Sequence, residues 1–128
     1  MPDKKIVIVD DDENICKTFF LLLSKKYTVF PVRNSEEALA RFRKARVDLV
    51  IADYKLPTIN GLELIKKLRA AGFEGEAMLI SAYPDLVDIG DLSRFSISHF
   101  FVKPLDLNDF DLSIDRLLQT KKSPSADV

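Results

Sequence analysis

Short apolar runs at regular intervals constrain this chain more than any other feature of it. Residues 6–9, 49–52 and 77–80 are unbroken apolar runs, and less uniform ones stand at Thr28–Val32 and His99–Val102. A strand with one face in water alternates apolar and polar side chains. An unbroken apolar run needs cover on both faces, as in a parallel sheet with helices on each side. The intervening segments carry the spacing such cover requires. Ile15, Phe19, Leu22 and Leu23 fall on one stripe behind an acidic cap, and Ala38, Phe42 and Ala45 share a face behind Asn34, with Glu37 at capping-box distance. Asn60 and Glu63 repeat that spacing at a third helix, which carries Leu64, Ile65 and Leu68 inward and has Gly72 as its stop. A last helix spans Leu107–Gln119, with Phe110, Ile114, Leu117 and Leu118 on one stripe. The fourth helical segment, residues 84–95, opens well with Pro84 but contains Val87, Ile89, Gly90 and three aspartates, all weaker helix formers than alanine. It is expected to be short, frayed or mobile. Five strands alternating with five helices predict a doubly wound α/β sandwich, whose functional groups collect at the carboxyl ends of the strands.

Composition narrows the classes of function. At 128 residues the chain has the size of one ordinary domain. Its 19 basic and 20 acidic residues nearly cancel, so a general electrostatic grip on nucleic acid or on an anionic membrane is not expected. Cys16 is the only cysteine, which excludes an internal disulfide and a cysteine-rich zinc site and fits a reducing, cytoplasmic setting. The longest apolar run, residues 19–23, falls far short of the roughly 20 residues a membrane span needs, and the first residues lack the apolar core of a signal peptide. Residues 4–120 are expected to form the domain, with 121–128 a disordered tail or the start of a linker.

The strand ends carry the chemistry. The first runs into Asp10, Asp11 and Asp12; the third ends in Asp53, the fourth in Ser81, and the fifth leads to Lys103 and Pro104. Carboxylates brought this close repel one another, by roughly 4 kcal/mol per pair about 4 Å apart at an effective dielectric near 20. A hard divalent cation relieves that repulsion. Mg2+ takes oxygen ligands from one or two carboxylates and keeps its other positions for water and phosphate oxygens. Taken singly, each feature also has a structural reading: an acidic helix cap, a turn former at Asp53, a cap at Ser81, a solvated loop at Lys103. Together they form a complementary set that four independent strand ends would rarely produce by accident.

The segments IVIVDDDEN, DLVIADYKLPTINGLELI, LISAY and FFVKPL resemble, in order and at compatible intervals, the receiver domain of two-component response regulators. The resemblance covers roughly residues 4–120 and implies a flavodoxin-like sheet of order 2-1-3-4-5. It implies that Asp53 is the phosphoacceptor and that Asp10 and Asp11 are the acidic pair, Asp11 being the direct Mg2+ ligand. Asp53 and the backbone carbonyl of Lys55 would complete the metal site. Ser81 takes the switch hydroxyl position, Lys103 that of the phosphate-binding lysine, and Phe100 that of the switch aromatic. Pro57 and Gly61 match the loop after the acceptor strand. The implied partners are a histidine kinase or histidine phosphotransfer protein as donor, and a downstream output domain or protein reached through the face of helix four, strand five and helix five. That face departs from the family pattern: residues 94–101, RFSISHFF, are bulky and polar where receivers commonly carry a small-residue pair. A monomer or weak dimer is therefore expected, with no direct contact to nucleic acid or membrane. His99 is expected to face solvent, and Cys16 to be a packed or partly exposed helix residue without redox duty.

Two other classes compete. Asp10 and Asp12 after an apolar strand resemble the nucleophile motif of haloacid-dehalogenase-type phosphatases, which would make Asp10 the phosphorylated residue. Asn14 stands where that motif has Thr or Val, and the chain is short for such a core and cap. A phosphorylation-independent binding module on the same fold is the other alternative; it leaves the full set of pocket charges without a purpose.

Overall fold

The computed structural model describes residues 4–119. In chain order it contains β1 (Lys5–Val9), α1 (Glu13–Leu23), β2 (Thr28–Val32), α2 (Ser35–Lys44), β3 (Leu49–Asp53), α3 (Gly61–Ala70), β4 (Glu76–Ser81), α4 (Ile89–Arg94), β5 (His99–Val102) and α5 (Leu107–Gln119). The strands form one parallel sheet of order β2-β1-β3-β4-β5, as the resemblance implies. The expected tail at 121–128 lies outside the described residues.

The apolar runs are double-sided for the reason expected. Ile6 and Ile8, with Ile51, Met78 and Ile80, face Phe19 and Leu23 of α1 and Phe110, Ile114 and Leu118 of α5. Val7 and Val9, with Val50, Ala52 and Leu79, face Ala38 of α2 and Leu64, Ile65 and Leu68 of α3. Register aligns each face across strands, Ile8 beside Ile51 and Ile51 beside Met78. Each such side chain, fully buried, contributes about 1.5–3 kcal/mol. The helix signals also hold: the side chains of Asn34 and Asn60 accept from the amides of Glu37 and Glu63, and Gly72 follows α3 at a φ of 102°.

The fourth helix departs from a single element over 84–95. Pro84–Leu86 forms one 3-10 turn, Val87 is extended at φ −98° and ψ 126°, and α4 starts anew behind Asp88, whose Oδ1 accepts from the Gly90 amide. Two of the three unfavourable aspartates thereby have structural work. Asp88 is a cap, and Asp91, 7% exposed, pairs with Lys66 at 3.1 Å and Arg94 at 3.0 Å. The helix is short, as expected: Leu92 packs on the core while Ile89 stays 76% exposed.

Candidate functional site

Where β1 ends, the chain turns into α1 and its three aspartates diverge. Asp10 points inward, 3% exposed, with Oδ1 accepting from the Asp12 amide at 2.9 Å. Asp11 is exposed, and Asp12 caps α1 by accepting from the amides of Asn14 at 2.9 Å and Ile15 at 3.4 Å. The helix-cap reading holds for Asp12, while the metal-site reading concerns its neighbours Asp10 and Asp11. Carboxylate oxygens of Asp10, Asp11 and Asp53 lie within 4.8 Å of one another. Three oxygen donors of like charge at that spacing suit a hard divalent cation.

Asp53 ends β3 and is 7% exposed. The strand is followed by a tightly folded loop: the Tyr54 carbonyl accepts from the Gly61 amide at 2.8 Å. A Cβ on Gly61 would stand 2.2 Å from the Asp53 carbonyl oxygen, so only glycine lets α3 begin this close to β3. Lys103 begins the loop after β5, its amide donating to the Ser81 carbonyl at 2.9 Å. From there its ammonium reaches Asp53 Oδ1 at 3.0 Å and Asp10 Oδ2 at 3.7 Å. Burial pushes the Asp10 carboxyl up to about 6, with Asp53 and Asp11 adding to the rise and the Asp12 amide and Lys103 opposing it. Burial raises Asp53 too, against the hydrogen bond from Lys103 and one from the Lys55 amide. For Lys103 burial favours the neutral amine, but Asp53 and Asp10 outweigh it and the group is held above its ordinary value.

The remaining expected residues are placed less directly. Ser81 is buried at the end of β4, and its Oγ accepts from the Tyr83 amide at 2.8 Å, so the hydroxyl is engaged with its own loop. Phe100 is half-buried against the α2–α3 side of the sheet. Lys55 is exposed, with its ammonium 5.1 Å from the centre of the Tyr83 ring. Cys16 is buried, its thiol donating to the Asp10 carbonyl at 3.2 Å; burial and then the Asp10 charge push it up to about 11. His99 is half-buried, with its ring 5.8 Å from that of Phe101, where a solvent-facing residue was expected; β5 lies beside α5, and Phe101 turns onto Phe110. Sequence reasoning gave no part to Tyr54 or Tyr83, which flank the pocket. Their only signal was position, one residue after Asp53 and two after Ser81.

A groove of about 630 Å3 opens beside the pocket, with Ile15, Phe19, Pro104, Leu105 and Leu107 among its lining and Lys103 in its wall. A groove of similar size, about 680 Å3, lies at the opposite end of the sheet around Arg43, Arg46 and Phe73. Volume does not separate the two; the converging carboxylates and ammonium mark the first.

The family model of the response regulator receiver domain matches residues 6–115, and the chain belongs to that family. It is 28% identical to sporulation initiation phosphotransferase F of Bacillus subtilis (strain 168) over 124 residues, covering 96% of this chain and 100% of that protein. It is 29% identical to the transcriptional regulatory protein CiaR of Streptococcus pneumoniae over 115 residues, covering 90% of this chain and 51% of that one. With regulatory protein AtoC of Escherichia coli (strain K12) the identity is 27%, over 90% of this chain and 25% of the relative. The chain thus spans the whole of one relative and a quarter to a half of the others. Among solved structures it resembles the response regulator protein TrrA of Thermotoga maritima in complex with Mg2+-BeF, with a TM-score of 0.77 and 31% identity over 90% of this chain and 99% of that one. The signal receiver domain of an HD domain-containing protein from Pseudomonas fluorescens gives a TM-score of 0.86 at 26% identity, covering 100% of this chain and 96% of that one. The chain is a receiver domain of two-component signalling, and the family match leaves the phosphatase resemblance unsupported. No helix among the described residues is long and apolar enough to cross a membrane.

Proposed function

We propose that this receiver accepts a phosphoryl group on Asp53 from a phosphohistidine of a histidine kinase or histidine phosphotransfer protein, in the presence of Mg2+. The observation that carries the reading is the meeting of Asp10, Asp11 and Asp53 oxygens within 4.8 Å, with the Lys103 ammonium 3.0 Å from Asp53. A carboxylate oxygen of Asp53 attacks phosphorus, the new O–P bond gives an acyl phosphate, and the P–N bond breaks with its electron pair leaving on the donor imidazole. Lys103 opposes the rise that burial gives the Asp53 carboxyl and then faces the phosphoryl oxygens. Asp10 and Asp11, with Asp53 and the Lys55 carbonyl, would hold Mg2+, which when bound neutralises charge on the transferring oxygens. The apolar groove beside Lys103 suits the donor's surface, and a cytoplasmic setting goes with that donor class. The domain's own chemistry is limited to gaining and losing this group.

Output follows from Ser81. Its hydroxyl leaves the Tyr83 amide to bond a phosphoryl oxygen, and Phe100 fills the space released. The turn at 84–86, α4, β5 and α5 are thereby re-presented to a downstream domain or protein. Leu86, Ile89, Val102 and Leu112 are exposed on that side, between 46% and 76%. The test is intact-mass analysis after incubation with acetyl phosphate. One phosphoryl group is expected with Mg2+ and none with EDTA, and none on Asp53→Asn, which stays folded. A fully labelled Asp53→Asn would refute the assignment.

A further inference from the structure

The turn that follows β4 is tied down by the two residues that follow Asp53. Tyr54 is half-buried; its hydroxyl donates to the Leu86 carbonyl at 3.3 Å and accepts from Asn60 Nδ2 at 3.4 Å. Lys55 lies over the Tyr83 ring at 5.1 Å. Ser81 supplies the third tie, its Oγ accepting from the Tyr83 amide at 2.8 Å. Both ends of the turn are therefore held by side chains that border the phosphoacceptor. The Tyr54 backbone cannot follow the turn if it moves, because its amide donates to Ile80 at 2.7 Å and its carbonyl accepts from Gly61 at 2.8 Å. Its hydroxyl is the tip of a lever fixed to the acceptor strand. Within the turn Tyr83 and Leu86 are 50% and 60% exposed, and the apolar anchor is Val87, which follows it and is buried in the core on which the Tyr54 ring packs.

One of the ties cannot survive phosphorylation as proposed above. Turning Ser81 Oγ toward a phosphoryl group on Asp53 removes the acceptor of the Tyr83 amide, and the turn has to re-form around the loss. The Tyr54–Leu86 bond opposes that rearrangement. We propose that Tyr54 is a positioning residue whose hydroxyl latches the turn at 83–86 in its resting arrangement, and so sets how readily occupancy of Asp53 is passed to α4. The inference rests on the assignment of Asp53 and Ser81 in the preceding section. A contact made in only one of two states weakens, by reciprocity, whatever favours the other state. Releasing one hydrogen bond of this kind corresponds to about a two- to tenfold gain in affinity for a phosphoryl mimic.

The experiment compares the full chain with Tyr54→Phe, which keeps the ring and removes the hydroxyl. Beryllofluoride binding in the presence of Mg2+ is followed by 19F NMR, and hydrogen exchange of residues 83–88 is measured without either. The variant is expected to bind two- to tenfold tighter and to exchange faster by a similar factor, at equal or lower thermal stability. Equal or weaker binding by the variant, or unchanged exchange, would overturn the latch and leave the pocket assignment standing. Failure of the unmodified chain to bind beryllofluoride would remove the pocket assignment and the latch with it.

Discussion

Asp10, Asp11 and Asp12 share a residue type but not an environment, because the chain leaves β1 and turns into α1 across them. Burial makes the Asp10 carboxyl a weak acid, exposure leaves Asp11 open to a ligand, and the free amides of α1 engage Asp12. Gly61 is as specific on the other side of the pocket. Its missing side chain is what lets the Asp53 carbonyl lie against the start of α3. Gly61→Ala places a methyl against backbone that cannot swing aside. It should destabilise the chain by about 1–3 kcal/mol, read as a lower urea midpoint at unchanged slope. A midpoint equal to that of the unmodified chain would show that α3 can shift away from β3.

Between elements, polar side chains hold what apolar packing does not. Arg69 on α3 donates to the carbonyls of Phe95 at 2.9 Å, Ser96 at 3.0 Å, Phe73 at 3.1 Å and Gly75 at 2.7 Å, joining the end of α4 to the entry of β4. Arg69→Ala should cost about 2–3 kcal/mol and speed hydrogen exchange through 94–97, and Arg69→Lys, without the planar fork, should restore only part. Exchange unchanged there would mean that α4 is held by other contacts. At the far corner, Tyr27 and Lys26 both bond Asp115 of α5. Burial pushes that carboxyl up, but the hydrogen bonds from Lys26 and Tyr27 outweigh it and hold it below its ordinary value. A carboxyl depressed by folding adds stability above its unfolded value, near 3.9, and loses it as pH falls through the lower folded value. Asp115→Asn should therefore be less stable at neutral pH, by no more than about 1 kcal/mol because the pair is partly exposed, with the difference closing as the solution is acidified below about pH 4. A difference that persists unchanged in acid would place the effect in packing.

For the molecule as a whole, the fold was legible because burial on both faces writes strands as unbroken apolar runs, and Asn34, Asn60 and Gly72 mark helix ends by local chemistry. The pocket was legible because strand ends are sequence positions: Asp10, Asp53, Ser81 and Lys103 could be assigned to one edge before any coordinate. Orientation was not legible. That Ser81 is engaged with Tyr83, that Val87 splits the fourth helical segment, and that Tyr54 reaches Leu86 all depend on contacts between segments whose spacing carries no period. Nor does the spacing around His99 show that its neighbour Phe101 and the proximity of α5 half-cover it. Asp53 as the acceptor among three crowded carboxylates is the central assignment, and one measurement addresses it directly. After phosphorylation with acetyl phosphate and Mg2+, borohydride reduces an acyl phosphate to an alcohol, and peptide sequencing by mass spectrometry locates the resulting homoserine. Homoserine at position 53 alone is the predicted result; homoserine at position 10, or at none of the three aspartates, would contradict it.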